Sequence, residues 1–81
     1  MTADELRATV LRLLGNLAPE ADLAGLPPTR NLRDELDLDS MDFLHFVTAV
    51  HDTLGIDVPE RDYPELATLE KCVDYLRARV T

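Results

Sequence analysis

Apolar residues recur along this chain at helical spacing, and nowhere do they alternate as a half-buried strand requires. Leu6, Val10, Leu13, Leu14 and Leu17 fall on one helical face. Thr2 and Glu5 supply a T-x-x-E capping box ahead of it. Gly15 and Asn16 mark the expected end, and Pro19 prevents continuation. A second helix is expected from Asp39-Ser40 to about Thr53 or Leu54, with Asp39 as N-cap, Asp42 in an acidic first turn and Gly55 as the stop. Asp57-Val58-Pro59-Glu60 starts a short third helix, with Pro at its first position, and Pro64 limits it to one or two turns. Thr68 caps a fourth, whose Leu69, Cys72, Val73, Leu76 and Val80 share a face, and Arg77 and Arg79 suit its C-terminal end.

Between the first two helices lies a long connection, residues 18–38. Leu23, Leu26, Leu32 and Leu36 punctuate it, so it should pack on the body, with one turn of helix around Asn31–Leu36. A connection this long in so small a domain is often functional. The pattern predicts an all-α fold, a four-helix bundle with a long first loop and a short third helix, in a single domain over residues 1–81.

Composition narrows the partners. The chain has 81 residues, 46% of them hydrophobic, which allows one modest core. Cys72 is the only cysteine, so no internal disulfide can reinforce that core. The N-terminal stretch lacks the pattern of a secretory signal, and no apolar run has the length to span a bilayer, so a cytoplasmic protein is expected. Sixteen acidic residues against eight basic ones give a formal net charge of −8. Such a polyanion is excluded from neutralising nucleic-acid phosphates and repelled by anionic membranes. Partners with basic patches, and a monomeric state, are expected instead.

The second helix carries the most information. Phe43, Phe46, Val47, Val50 and Leu54 cluster within one arc and form its core stripe. Met41 and Leu44 fall outside that arc with Thr48 between them, on a side shared with His45 and Asp52. Two places are open to Met41 and Leu44: packed under the long loop, or exposed among charges as a docking surface. Ser40 stands beside them at the helix start.

The stretch LRDELDLDSMDFLHFVTAVHDTLGIDVP resembles the central region of acyl carrier proteins, whose signature is Asp-Ser-Leu ahead of an amphipathic helix. Asp39-Ser40-Met41 matches the signature, Gly55-Ile56-Asp57-Val58-Pro59 resembles the family's exit from that helix, and Thr68-Leu69-Glu70 resembles the start of its last one. The resemblance covers nearly the whole chain. It implies a carrier, not an enzyme, with a 4′-phosphopantetheine arm donated by coenzyme A and placed on Ser40 by a phosphopantetheinyl transferase. Asp39 matches the acid that receives the transferase and its metal. Met41, Asp42, Leu44, His45, Thr48 and Asp52 match the surface presented to acyl-processing or acyl-loading enzymes. Cargo would ride as a thioester on the arm's thiol, with the acyl chain sheltered in the bundle or left swinging.

Two departures from the family pattern bear on the pathway. Met41 replaces the usual Leu, a change conservative in size. His45 and His51 stand where fatty-acid carriers tend to be acidic, which favours a dedicated polyketide, lipopeptide or aminoacyl pathway over bulk fatty-acid synthesis. A D-alanyl carrier also uses Asp-Ser-Met, and an unmodified acidic interaction module is the alternative from another class. Other chemistry fails on spacing: an EF-hand starting at Asp37 places Asp42 where Gly is required and Thr48 where Glu belongs. His45 and His51 diverge on a helix and make no metal pair. Cys72 reads as a core thiol, and Tyr63 and Tyr75 as core covers with hydroxyls reaching solvent.

Overall fold

In a computed structural model of the chain, residues 1–80 are described. Its described residues form five helical elements and no strand: α1 (Ala3–Leu17), α2 (Leu32–Glu35), α3 (Ser40–Leu54), a 3₁₀ segment (Glu60–Leu66) and α4 (Leu69–Arg79). The expected all-α bundle is present, with α2 as the single turn inside the long connection. Helix α1 packs against both α3 and α4, and α4 also carries the 3₁₀ segment.

Local chemistry fixes most boundaries. Thr2 accepts from the Glu5 amide at 3.1 Å while the Glu5 carboxylate accepts from the Thr2 amide at 2.9 Å, completing the capping box. These bonds hold the Glu5 carboxyl below its ordinary pKa. Asp39 and Asp42 make the same reciprocal arrangement at α3, with Asp39 Oδ1 2.8 Å from the Asp42 amide. Gly55 ends α3 in the left-handed region at φ 70°, where a side chain would be strained.

Two boundaries differ from the sequence expectation. Helix α1 runs through Gly15 and Asn16 to Leu17, with Ala18 as its C-cap. Gly15 serves close packing instead of termination: a Cβ there would sit 3.1 Å from the Leu23 side chain of the returning loop. The third helix is 3₁₀, not α, with Pro59 as its N-cap instead of its first residue and Pro64 inside it. The fixed φ of proline suits a 3₁₀ turn, and the poorer bonding of that helix makes one missing N–H inexpensive.

The core joins every element. Leu6, Leu14, Phe46, Val50, Leu66, Cys72 and Leu76 are completely buried, and Leu26, Leu32 and Leu38 bring the long connection into the same cluster. That connection is also stitched to the start of α4. The Leu32 amide donates to the Ala67 carbonyl at 2.7 Å, the Glu70 amide to the Pro28 carbonyl at 3.0 Å, and Asn31 and Thr68 form an isolated bridge. Ser40 is thereby held between a helix packed into the core on one side and a tethered loop on the other.

Candidate functional site

Ser40 is the first residue of α3, and its side of the helix is exposed. The hydroxyl takes no part in capping the helix, because that work is done by its neighbours, Asp39 and Asp42. The approach to it is shaped by Asp37, which adopts φ 54°, a left-handed conformation that Asp tolerates better than most residues. This turn reverses the chain after α2, buries Leu38, and delivers Asp39 and Ser40 to the surface.

The loop brings one cation to the hydroxyl. Arg33 Nη2 lies 3.4 Å from Ser40 Oγ, and its Nε donates to the Leu38 carbonyl, also at 3.4 Å. The same guanidinium sits 5.9 Å from the centre of the Phe43 ring, within cation–π range. Arg30, its neighbour on the loop, pairs with Glu35 at 3.2 Å. Among the described residues no carboxylate pairs with Arg33. A surface groove of about 220 Å³ runs beside Ser40, lined by Arg33, Phe43, Leu44, Glu60 and Tyr63. An adjoining hollow of about 340 Å³ shares Arg33, Phe43 and Tyr63. Phe43 and Tyr63 meet edge to face there, with ring centres 5.4 Å apart.

The outer face of α3 answers the question that periodicity left open. Met41 and Leu44 do not tuck under the loop; they are 61% and 44% exposed. His45, Thr48, His51 and Asp52 are exposed with them, and Asp42 is half-buried. The Thr48 hydroxyl donates to the Leu44 carbonyl at 3.0 Å, so it is committed to its own helix. His51 Nδ1 lies 3.7 Å from the Asp52 carboxylate.

Sequence reasoning missed Arg33. It stands seven positions before Ser40, outside the helix whose periodicity drew attention, and only the reversal at Asp37 brings it back. No motif or spacing sets it apart from the other arginines in the sequence.

Residues 4–76 match the family described as a phosphopantetheine attachment site. The acyl carrier protein of Lactobacillus johnsonii is 35% identical over 48 residues, 59% of this chain and 60% of that protein. The mitochondrial acyl carrier protein of Neurospora crassa is 25% identical over 73 residues, 90% of this chain and 54% of its own length. That of Acidothermus cellulolyticus is 30% identical over 60 residues, 68% of this chain and 71% of that protein. The matched stretch therefore spans less than two thirds of the Lactobacillus and Neurospora proteins.

Proposed function

The chain belongs to the phosphopantetheine-attachment family that includes the acyl carrier proteins, and from that premise we propose that Ser40 carries the arm and that the protein is a carrier performing no bond-making of its own. The observation that carries this reading is the Ser40 hydroxyl, exposed at the first position of α3 within the matched region.

The residues present fit a phosphodiester arm. Its attachment oxygen is accessible, a guanidinium without a carboxylate partner among the described residues lies beside it, and a groove leads away from it. The amino end of a fifteen-residue helix also favours an anion. When bound, the arm supplies a terminal thiol that holds acyl cargo as a thioester. Cys72 does not compete for that role, because burial pushes its thiol up to about 12.

In the loading reaction the Ser40 oxygen attacks the phosphorus of coenzyme A that bears the pantetheine. An O–P bond forms, the pyrophosphate link to the nucleotide breaks, the nucleotide leaves, and the serine proton passes to a base on the transferase. This chain contributes presentation. Asp39 has one carboxylate oxygen on the Asp42 amide, which leaves the other to face the transferase and its metal. Met41 and Leu44 offer apolar contact, rimmed by Asp42, His45, Thr48 and Asp52.

The exposure of His45 and His51 on α3 supports a dedicated pathway, of polyketide, lipopeptide or aminoacyl type, over bulk fatty-acid synthesis. Partners there carry basic docking patches complementary to the net charge of −8. No helix among the described residues is long and apolar enough to cross a membrane.

Intact mass tests the assignment. Incubation with coenzyme A, magnesium and a broad-specificity phosphopantetheinyl transferase should add one phosphopantetheinyl group to the wild type and none to Ser40→Ala. Absence of a gain on the wild type with several transferases would overturn the proposal and favour an unmodified interaction module.

A further inference from the structure

We propose that Arg33 is the arm-positioning residue of this carrier: its guanidinium holds the phosphodiester on Ser40 and lays the first part of the arm along the groove lined by Phe43, Leu44 and Tyr63. The proposal rests on Ser40 being the attachment site.

Geometry points to an anion at this corner. An arginine side chain has five N–H donors in a rigid fork. Here Nε is spent on the Leu38 carbonyl and Nη2 approaches the Ser40 hydroxyl, both at 3.4 Å. The other donors meet no acceptor among the described residues. The fork is nevertheless held in place, by the Leu38 carbonyl on one edge and the Phe43 ring against its carbon centre. A positioned guanidinium with open donors beside a hydroxyl is suited to the bidentate binding of a phosphate esterified there.

Charge gives the arrangement a purpose. Asp39 and Asp42 flank Ser40, and Glu60 lines the same groove. An added phosphodiester anion would be repelled by all of them, and an arm so repelled would point away from the protein. Among the described residues, Arg33 is the only cation lining that groove. The next arginine back along the chain, Arg30, is already paired with Glu35. The expected result is an arm whose phosphate end is ordered over α3 and whose thiol end remains free for partners.

The test uses the full chain loaded in vitro, as wild type, Arg33→Gln and Arg33→Lys, with intact mass to establish loading. On loading of the wild type the Arg33 Nε–Hε NMR cross-peak should move. The ³¹P resonance of the folded wild type should stand apart from that of the same protein unfolded in urea, and 0.5 M salt should narrow the separation by screening the pair. Arg33→Gln should remove most of that separation, and Arg33→Lys, a point charge without the fork, should keep part of it. Loading that leaves the Arg33 cross-peak unmoved, or a ³¹P resonance the same in wild type and Arg33→Gln, would overturn the proposal and leave the carrier assignment standing. Failure of the wild type to load would remove both.

Discussion

The Tyr75 hydroxyl donates a 2.7 Å hydrogen bond to the Asp62 carboxylate, fastening the 3₁₀ segment to α4. Arg79 reinforces the joint, with its guanidinium 3.7 Å from the same carboxylate and 3.7 Å from the centre of the Tyr75 ring. The sequence pattern placed this hydroxyl in solvent, because nothing in the spacing shows that a 3₁₀ turn delivers Asp62 to it. Tyr75→Phe removes the bond but leaves Asp62 beside Arg79 and Arg61, so the carboxylate is not stranded. A loss of about 1.5 kcal/mol is expected, seen as a fall in Tm of roughly 6–12 °C for a domain of this size. A change below about 0.3 kcal/mol would show that the joint contributes nothing.

Alkaline pH should weaken the fold through two groups. Burial raises the Cys72 thiol to about 12 from its ordinary 9.0. Burial, and then the bond to Asp62, raise the Tyr75 phenol above 10.0. Both native groups keep protons that the unfolded chain releases. Their contribution is therefore complete below about pH 9 and is lost as pH rises towards the native values. Urea midpoints measured between pH 7 and 11 should be flat to about pH 8.5 and then fall. The same burial should slow labelling of Cys72 by a thiol reagent at pH 8 by roughly a hundredfold or more relative to the urea-unfolded chain. Prompt labelling of the folded protein would contradict it.

Much of the architecture was legible because the strongest determinants are local. Thr2 with Glu5, Asp39 with Asp42, Thr68 and Gly55 all act within a turn of themselves, and each marks a boundary where expected. The core stripe of α3 was legible for the same reason, with Phe43, Phe46, Val47 and Val50 buried. Features decided by distant contacts were not. Gly15 reads as a terminator until Leu23 is seen beside it. Periodicity alone could not choose between cover and exposure for Met41 and Leu44. Arg33 has no motif, since its meaning depends on a chain reversal.

That reversal can be probed at Asp37, whose φ of 54° is the one positive value outside glycine among the described residues. Asp37→Gly relieves strain in the native state but adds freedom to the unfolded chain, and the two should offset to within about 0.5 kcal/mol. A β-branched residue has no such tolerance, and Asp37→Val should cost about 1–2 kcal/mol in urea unfolding. Equal stability of the valine variant would mean that the turn has another conformation available.

The outer face of α3 makes a separable prediction about docking. Met41→Ser and Leu44→Ser alter exposed side chains, so each should leave stability within about 0.5 kcal/mol of wild type. Each should weaken binding to a transferase or partner by about tenfold if it is an anchor of the interface. Affinity should also fall as salt rises, because steering between acidic and basic surfaces is screened within about 10 Å at 0.1 M. Calorimetric titration across a salt series reads both effects. Affinity independent of salt would assign docking to the apolar pair alone.

The stitching of Leu32 to Ala67 and of Glu70 to Pro28 divides the long connection into two mechanical parts. Its front portion, around Glu20 and Ala21, lies ahead of the stitches, and a flexible insert or affinity tag placed there should ride along without disturbing the rest. Behind them, from Leu32 to Asp39, the chain acts as a short strut of fixed length. One residue added to that strut would turn Ser40 away from Arg33, leaving the bundle folded but the attachment corner disassembled.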